Sequence, residues 1–190
     1  MVGELTYFVG FQIQQLKDCI FISQSKYAKA LANKFGLENA RAKRTPALIH
    51  VKLSRDSNGA TDESSYQSII ESLLYHTTSR PDIAFIVGVC TRYQAKQKAS
   101  HLLGAKRITK YISGTYEYGL LYSFDTNNSL VGYCDTDWAE SSEDRKSASG
   151  SCFFLGNNPL SWFSKKQNCI FLSTTEAKYV VVGSSCTQLL

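Results

Sequence analysis

The sequence predicts an α+β protein: an N-terminal β-hairpin and a helical bundle, followed by a mixed β-sheet with one helix. Three observations carry this. Between residues 64 and 113 apolar residues recur at helical spacing. From 118 onward they fall in short aromatic and β-branched runs bounded by turn formers. Hydrophobic content of 43%, with 11 Tyr and 10 Phe, supplies a core and excludes a disordered tail.

Each element has a local reason. LTYFVGFQI at 5–13 and CIFIS at 19–23 read as two strands of a hairpin joined by QQLKD. Ser23 or Ser25 is placed to cap a helix through QSKYAKALANKF, and Gly36 stops it. Residues 41–63 carry Pro46 and DSNGATDE and have no period, so they read as a loop. Helical spacing returns at 64–77, with Tyr66, Ile69, Ile70, Leu73 and Leu74 as one apolar stripe. Pro81 suits a first helical turn, and Ile83, Phe85, Ile86, Val87, Val89 and Cys90 behind it are expected mostly in the core. A further helix is expected from Ala99 to Ile112, ending at Gly114. YGLLYSF, LVGYCD, GSCFFLG, LSWFS and NCIFLS then read as strands, and a last helix begins near Thr174. The resulting segments are 1–44, a linker at 45–63, helices at 64–117 and a β-rich part at 118–190.

The charge pattern narrows the function classes. Net charge is +5. Eight Lys/Arg and one acid, Glu38, lie between Lys26 and Arg55; six Lys/Arg and no acid lie between Ile83 and Tyr116. Asp135, Asp137, Glu140, Glu143 and Asp144 gather within ten residues. A basic body with one acidic focus suits a polyanion binder holding a divalent-metal centre; a solvated surface with an acidic loop gives the same pattern. The cysteines at 19, 90, 134, 152, 169 and 186 contain no CxxC pair, which argues for reduced thiols in an intracellular protein rather than a disulfide framework or a zinc site. No apolar run reaches membrane-spanning length and no signal peptide is legible, so the expected location is cytoplasmic or nuclear and not secreted. His50, His76 and His101 share no ligand spacing and read as surface or core residues.

Three features of the β-rich part bear on chemistry. Asp135 ends an apolar strand, and Asp137 follows two residues later. At a strand end these two are expected to point apart, to opposite faces or splayed around a turn. Glu176, in STTEAKY, sits in the first turn of a helix capped by Ser173 or Thr174. An Asp on a central strand and a Glu on a helix crossing the sheet could converge on Mg²⁺, and two such ions about 4 Å apart stabilise in-line attack on phosphate. The competing reading is that Asp135 merely ends a strand and Glu176 merely favours a helix N-terminus. Between these runs lie EDRKSASG and SWFSKKQ.

Taken in order, LTYFVGFQI, ISQSKYAKAL, KFGLENA, TPA, YQSIIESLLYHTTSRPDIAF, AKRITKYISGT, GLLY, LVGYCDTDWAES, DRKSASG, FFLG, SWFSKKQ and LSTTEAKY resemble the C-terminal part of the Pol polyprotein of copia-type LTR retrotransposons, from just after the polymerase active site into ribonuclease H. The resemblance implies that Tyr7, Phe8 and Gly10 belong to a hairpin supporting the primer end. It implies that the helices at 64–113 are thumb-like and grip a primer–template duplex by its backbone, with Arg92, Lys96, Lys98, Lys106, Arg107 and Lys110 as contacts. It implies that the β-rich part is a truncated ribonuclease H-like sheet, acting on the RNA of an RNA–DNA hybrid with Mg²⁺ or Mn²⁺. Asp135 and Glu176 then become catalytic metal ligands, with Asp137 as runner-up or outer-shell acid.

The departures from that pattern are specific. No YxDD occurs, so the polymerase aspartates would precede Met1, and polymerisation is not expected of this chain alone. The strand with the third ribonuclease H Asp would lie beyond Leu190. Glu71 and Glu140 stand where glycine is usual, and Lys178 stands where a second acid follows Glu176. Two classes therefore compete: a ribonuclease H-type piece that is catalytically incomplete, and a non-catalytic nucleic-acid-binding or protein-interaction remnant using the basic helical face.

Overall fold

The computed structural model describes residues 4–47, 63–95, 97–139 and 144–189. It divides into two compact units, Met1–Leu121 and Tyr122–Leu190. The elements of the first unit are β1 (Tyr7–Phe8), β2 (Phe11–Gln15), β3 (Cys19–Ser23), α1 (Ser25–Lys34), α2 (Glu63–His76), α3 (Pro81–Thr91), α4 (Ala99–Ser113) and β4 (Gly119–Ser123), which runs across the division. Those of the second are β5 (Leu130–Asp137), β6 (Ala148–Leu155), β7 (Asn158–Lys166) and α5 (Thr174–Leu189). The described strands form a sheet of order β1-β2-β3-β4 and another of order β5-β6-β7.

The expected strand at 5–13 is broken in two. Val9 (φ 46) and Gly10 (φ 84) turn the chain, so β1 pairs antiparallel with β2 before β2 pairs with β3. Only glycine adopts φ 84 cheaply, and a side chain at Gly10 would also meet the Tyr75 hydroxyl. That hydroxyl donates to Val9 O at 3.0 Å, tying the turn to α2. The cap of α1 is Gln24, without a side-chain cap bond, rather than Ser23 or Ser25. Gly36 (φ 62) ends α1 as expected, its N–H donating to Asn33 O.

Residues 1–44 and 64–117, expected as separate segments, share one core. Ala28 and Leu31 of α1 pack with Tyr66, Ile69, Ile70 and Leu73 of α2, and with Ile83, Val87 and Cys90 of α3. Ala105, Ile108 and Ile112 of α4 close it. Tyr66 donates to Cys90 O at 2.7 Å inside it. Two members of the predicted stripes lie outside this core: Leu74 is 43% and Phe85 40% exposed. Helical period places them at the stripe margins, where packing by neighbouring helices decides burial. His76 and His101 are core residues. Most of the loop predicted at 41–63, including His50, lies outside the described residues.

In the second unit the ladders β5·β6 and β6·β7 are both antiparallel, not mixed, because successive strands joined by short connections return beside one another. β5, expected as a central strand, is an edge among the described strands. NCIFLS forms no strand: Ile170 and Leu172 are exposed, and its backbone instead meets single side chains, as Trp138 Nε1 donates to Phe171 O at 3.2 Å. One face of the sheet is covered by α5. Ser151 and Ser185 hydroxyls meet at 2.7 Å, and Gln167 Nε2 donates to Ser149 Oγ and Ala177 O. No helix among the described residues is long and apolar enough to cross a membrane, and the six cysteines are free thiols.

Candidate functional site

In the first unit three of the six predicted cations are drawn together at one place. Lys106, Arg107 and Lys110, spaced on one side of α4, line a cavity of about 360 Å³ with Lys43. The far wall is the stretch at 43–47, strapped to α4. Lys43 N–H donates to Lys110 O at 3.2 Å, a carbonyl near the helix end that also accepts from Ser113 Oγ at 2.9 Å. Arg107 Nη2 donates to Thr45 Oγ1 at 2.9 Å, and Thr45 Oγ1 donates to Ala47 O. Gly114 allows this approach, since a Cβ there would lie 2.7 Å from Ala42 Cβ. Among the described residues no carboxylate pairs with these four cations. Arg107 Nε is buried without a hydrogen-bond partner. Arg92 and Lys98 lie apart from this cavity, at the ends of α3 and α4, and Lys96 lies outside the described residues. Tyr7 and Phe8 are exposed at the β1–β2 turn with Gly10, and Lys26 Nζ lies 5.9 Å from the Tyr7 ring centroid.

Sequence reasoning missed two residues here. Lys43 sat in the basic run, but nothing local linked it to α4. Arg80 is 1% exposed and grips Asp82 through two bonds of 2.9 and 2.8 Å and Thr115 through two of 2.9 Å. Its guanidinium stacks between Tyr111 and Tyr118, 5.5 and 5.3 Å away. Burial alone would raise the Asp82 pKa, but the Arg80 hydrogen bonds and charge, with the Tyr111 hydroxyl, bring it below the usual carboxylate range. This pair fastens the start of α3 to the residues after α4; it is structural.

In the second unit the carboxylates share one end of the sheet. The strand runs unbroken through Asp137, so its period of two puts Asp135 and Asp137 on the same face, not pointing apart. Both are exposed, while Thr136 between them is buried on the α5 side. Helix α5 runs antiparallel to β5: Ala177 lies by Ser149, the partner of Thr136, and Leu189 packs on Gly132. Its first turn therefore sits at the Asp137 end. There Glu176 N–H donates to Ser173 Oγ at 3.2 Å, and Glu176 Oε2 accepts from Leu172 N–H at 2.9 Å. This is a capping box shifted by one residue, so Glu176 has a structural task. Lys178 is exposed, and Asp144 pairs with Lys166 at 2.7 Å. Glu140 and Glu143 lie outside the described residues.

Asp135 and Asp137 offer hard oxygens on one face. A single Mg²⁺ that keeps most of its water fits such a pair, because it takes one or two carboxylates and dehydrates reluctantly. A two-ion centre does not fit the described residues, among which no three Asp, Glu, His or Cys side chains gather.

Comparison with protein-family models gives no match, and comparison with solved structures gives none. Curated proteins do match. An uncharacterized mitochondrial protein of Arabidopsis thaliana is 33% identical over 189 residues, 99% of this chain and 78% of that protein. The retrovirus-related Pol polyprotein from transposon RE1 of Arabidopsis thaliana is 33% identical over 187 residues, 98% of this chain. The corresponding polyprotein from transposon TNT 1-94 of Nicotiana tabacum is 33% identical over 199 residues. The chain spans 13% of the first polyprotein and 15% of the second. With similarity running along nearly its whole length, the chain belongs to the copia-type retrotransposon Pol family.

Proposed function

We propose that this retrotransposon-derived chain holds an RNA–DNA hybrid or related duplex by its phosphates, through α4 of a thumb-like first unit, and that its second unit is ribonuclease H-like. The observation that carries the reading is the convergence of Lys43, Lys106, Arg107 and Lys110 without a carboxylate partner among the described residues. Phosphate gripping needs cations and no base code. The exposed Tyr7 and Phe8 supply flat apolar surface for a strand end. In the second unit, Asp135 with Asp137 would hold one hydrated Mg²⁺ or Mn²⁺, and Glu176 orients the start of α5 at the same end. Bound there, the ion would polarise a phosphate oxygen.

The test is the salt dependence of hybrid binding. Replacing Lys106, Arg107 and Lys110 together with Gln should lower the slope of log K against log salt by roughly 0.9 per lost contact on a DNA duplex. An unchanged slope would remove the thumb-like grip. The second reading, a non-catalytic binding remnant, is favoured by the capping task of Glu176.

A further inference from the structure

The cavity lined by the α4 cations is larger than phosphate gripping needs. A duplex backbone meets a convex row of cations and asks for no hole behind it. Here the wall between Lys43 and α4 is apolar: Ile86, Cys90 and Leu103 line it, with Pro46 on the strap. Its volume of about 360 Å³ lies near the lower end of small-ligand sites, which run from roughly 300 to 1,000 Å³. The rim carries the positive charge, and the buried Arg107 Nε lacks an acceptor. An apolar wall with a cationic rim matches an amphipathic anion with a flat apolar part and a compact negative group. A single nucleotide has that form.

We infer that this cavity takes one unpaired nucleotide, its base against Ile86 and Leu103 and its phosphate on Lys106, Arg107 and Lys110. This deepens the duplex-binding reading and rests on it for the ligand's source, a frayed or overhanging strand end. The bonds from Lys43 N–H to Lys110 O and from Arg107 Nη2 to Thr45 Oγ1 fix the strap against α4, so little ordering is needed when the nucleotide enters.

The experiment titrates the full chain with dAMP, deoxyadenosine and inorganic phosphate by two-dimensional amide NMR. In parallel, it measures binding of a blunt RNA–DNA hybrid and of the same hybrid with a one-nucleotide overhang. dAMP should bind at least about tenfold tighter than either fragment, because each engages one half of the site, and should shift the amides of 100–110 and of Lys43. Lys106→Gln with Lys110→Gln should erase the advantage of dAMP over deoxyadenosine. Leu103→Ser should erase its advantage over phosphate; Leu103 is 68% exposed, so this change spares the fold. The overhang should strengthen hybrid binding severalfold, and Leu103→Ser should cancel that gain. Equal affinity for dAMP and both fragments, or shifts confined to residues away from α4, would overturn the inference even if the blunt hybrid binds. If dAMP binds as expected and the blunt hybrid does not, the cavity assignment stands and the duplex reading fails.

Discussion

At the residue scale, buried polar groups set two measurable properties of the first unit. His76 is 1% exposed, and its Nδ1 lies 3.2 Å from Gln24 Oε1, which also accepts from Ser79. Burial, and then the charge of Arg80, lower its pKa from 6.5 to about 4. In the unfolded chain His76 takes up its proton near its ordinary pKa, while the folded state resists it. The stabilisation is therefore complete above about pH 6.5 and is lost as pH falls towards 4, at a cost of about 3 kcal/mol. Urea midpoints measured at pH 7 and pH 5 should show about 2 kcal/mol of this loss, and His76→Gln should flatten it. Arg80 is the second case. Arg80→Met would take the Arg80 donors from Asp82 and Thr115, leaving Asp82 the Tyr111 hydroxyl and the Thr115 carbonyl the Tyr118 N–H. Removing one partner of a buried pair costs 3–5 kcal/mol. Asp82 is 35% exposed and regains water, so the expected loss is at the lower end, about 3 kcal/mol in denaturant titration.

At the element scale, the start of α5 separates two roles of one carboxylate. Ser173→Ala removes the cap acceptor of the Glu176 N–H and should cost about 1 kcal/mol. Glu176→Gln keeps an oxygen for the Leu172 N–H, whereas Glu176→Ala does not. A capping role therefore predicts near-wild-type stability for Glu176→Gln and a loss of about 1 kcal/mol for Glu176→Ala. If Glu176 also contributes to ion binding, Glu176→Gln will weaken Mn²⁺ binding, read by electron paramagnetic resonance, at unchanged thermal stability. The strand end gives the complementary test, since Asp135→Asn and Asp137→Asn alter the same exposed face without touching the cap.

At the scale of the whole molecule, binding and cleavage should come apart. The proposed phosphate binding needs only the cations of the first unit. Cleavage by two ions needs carboxylates on both sides of the scissile phosphate, and a misplaced ligand in such a site costs orders of magnitude. The described residues gather no group of three metal-ligating side chains. A labelled hybrid incubated with the purified chain and Mg²⁺ or Mn²⁺ should be retained and its RNA left intact. RNA cleavage abolished by both Asp135→Asn and Glu176→Gln would reverse this conclusion; cleavage indifferent to both would indicate a contaminating nuclease.

The sequence by itself determined the helices α2, α3 and α4, the stops at Gly36 and Gly114, four of the five expected β-rich-half strands and the start of α5. Each of these follows from period, proline and glycine, or a cap, all of which act within a few residues. It also showed six Lys/Arg and no acid between Ile83 and Tyr116, among them Lys106, Arg107 and Lys110. Only the tertiary structure decided that Lys43 joins them, since a hydrogen bond across 67 residues, Lys43 N–H to Lys110 O, carries it there. Only it decided that Arg80 is buried, because its partners are assembled by packing of α3 against the residues after α4. The shared face of Asp135 and Asp137 was within reach of the sequence, through the period of two. Its reading depended on where the strand ends, and pairing with Gly150 and Ala148 of β6 extends the strand through both aspartates.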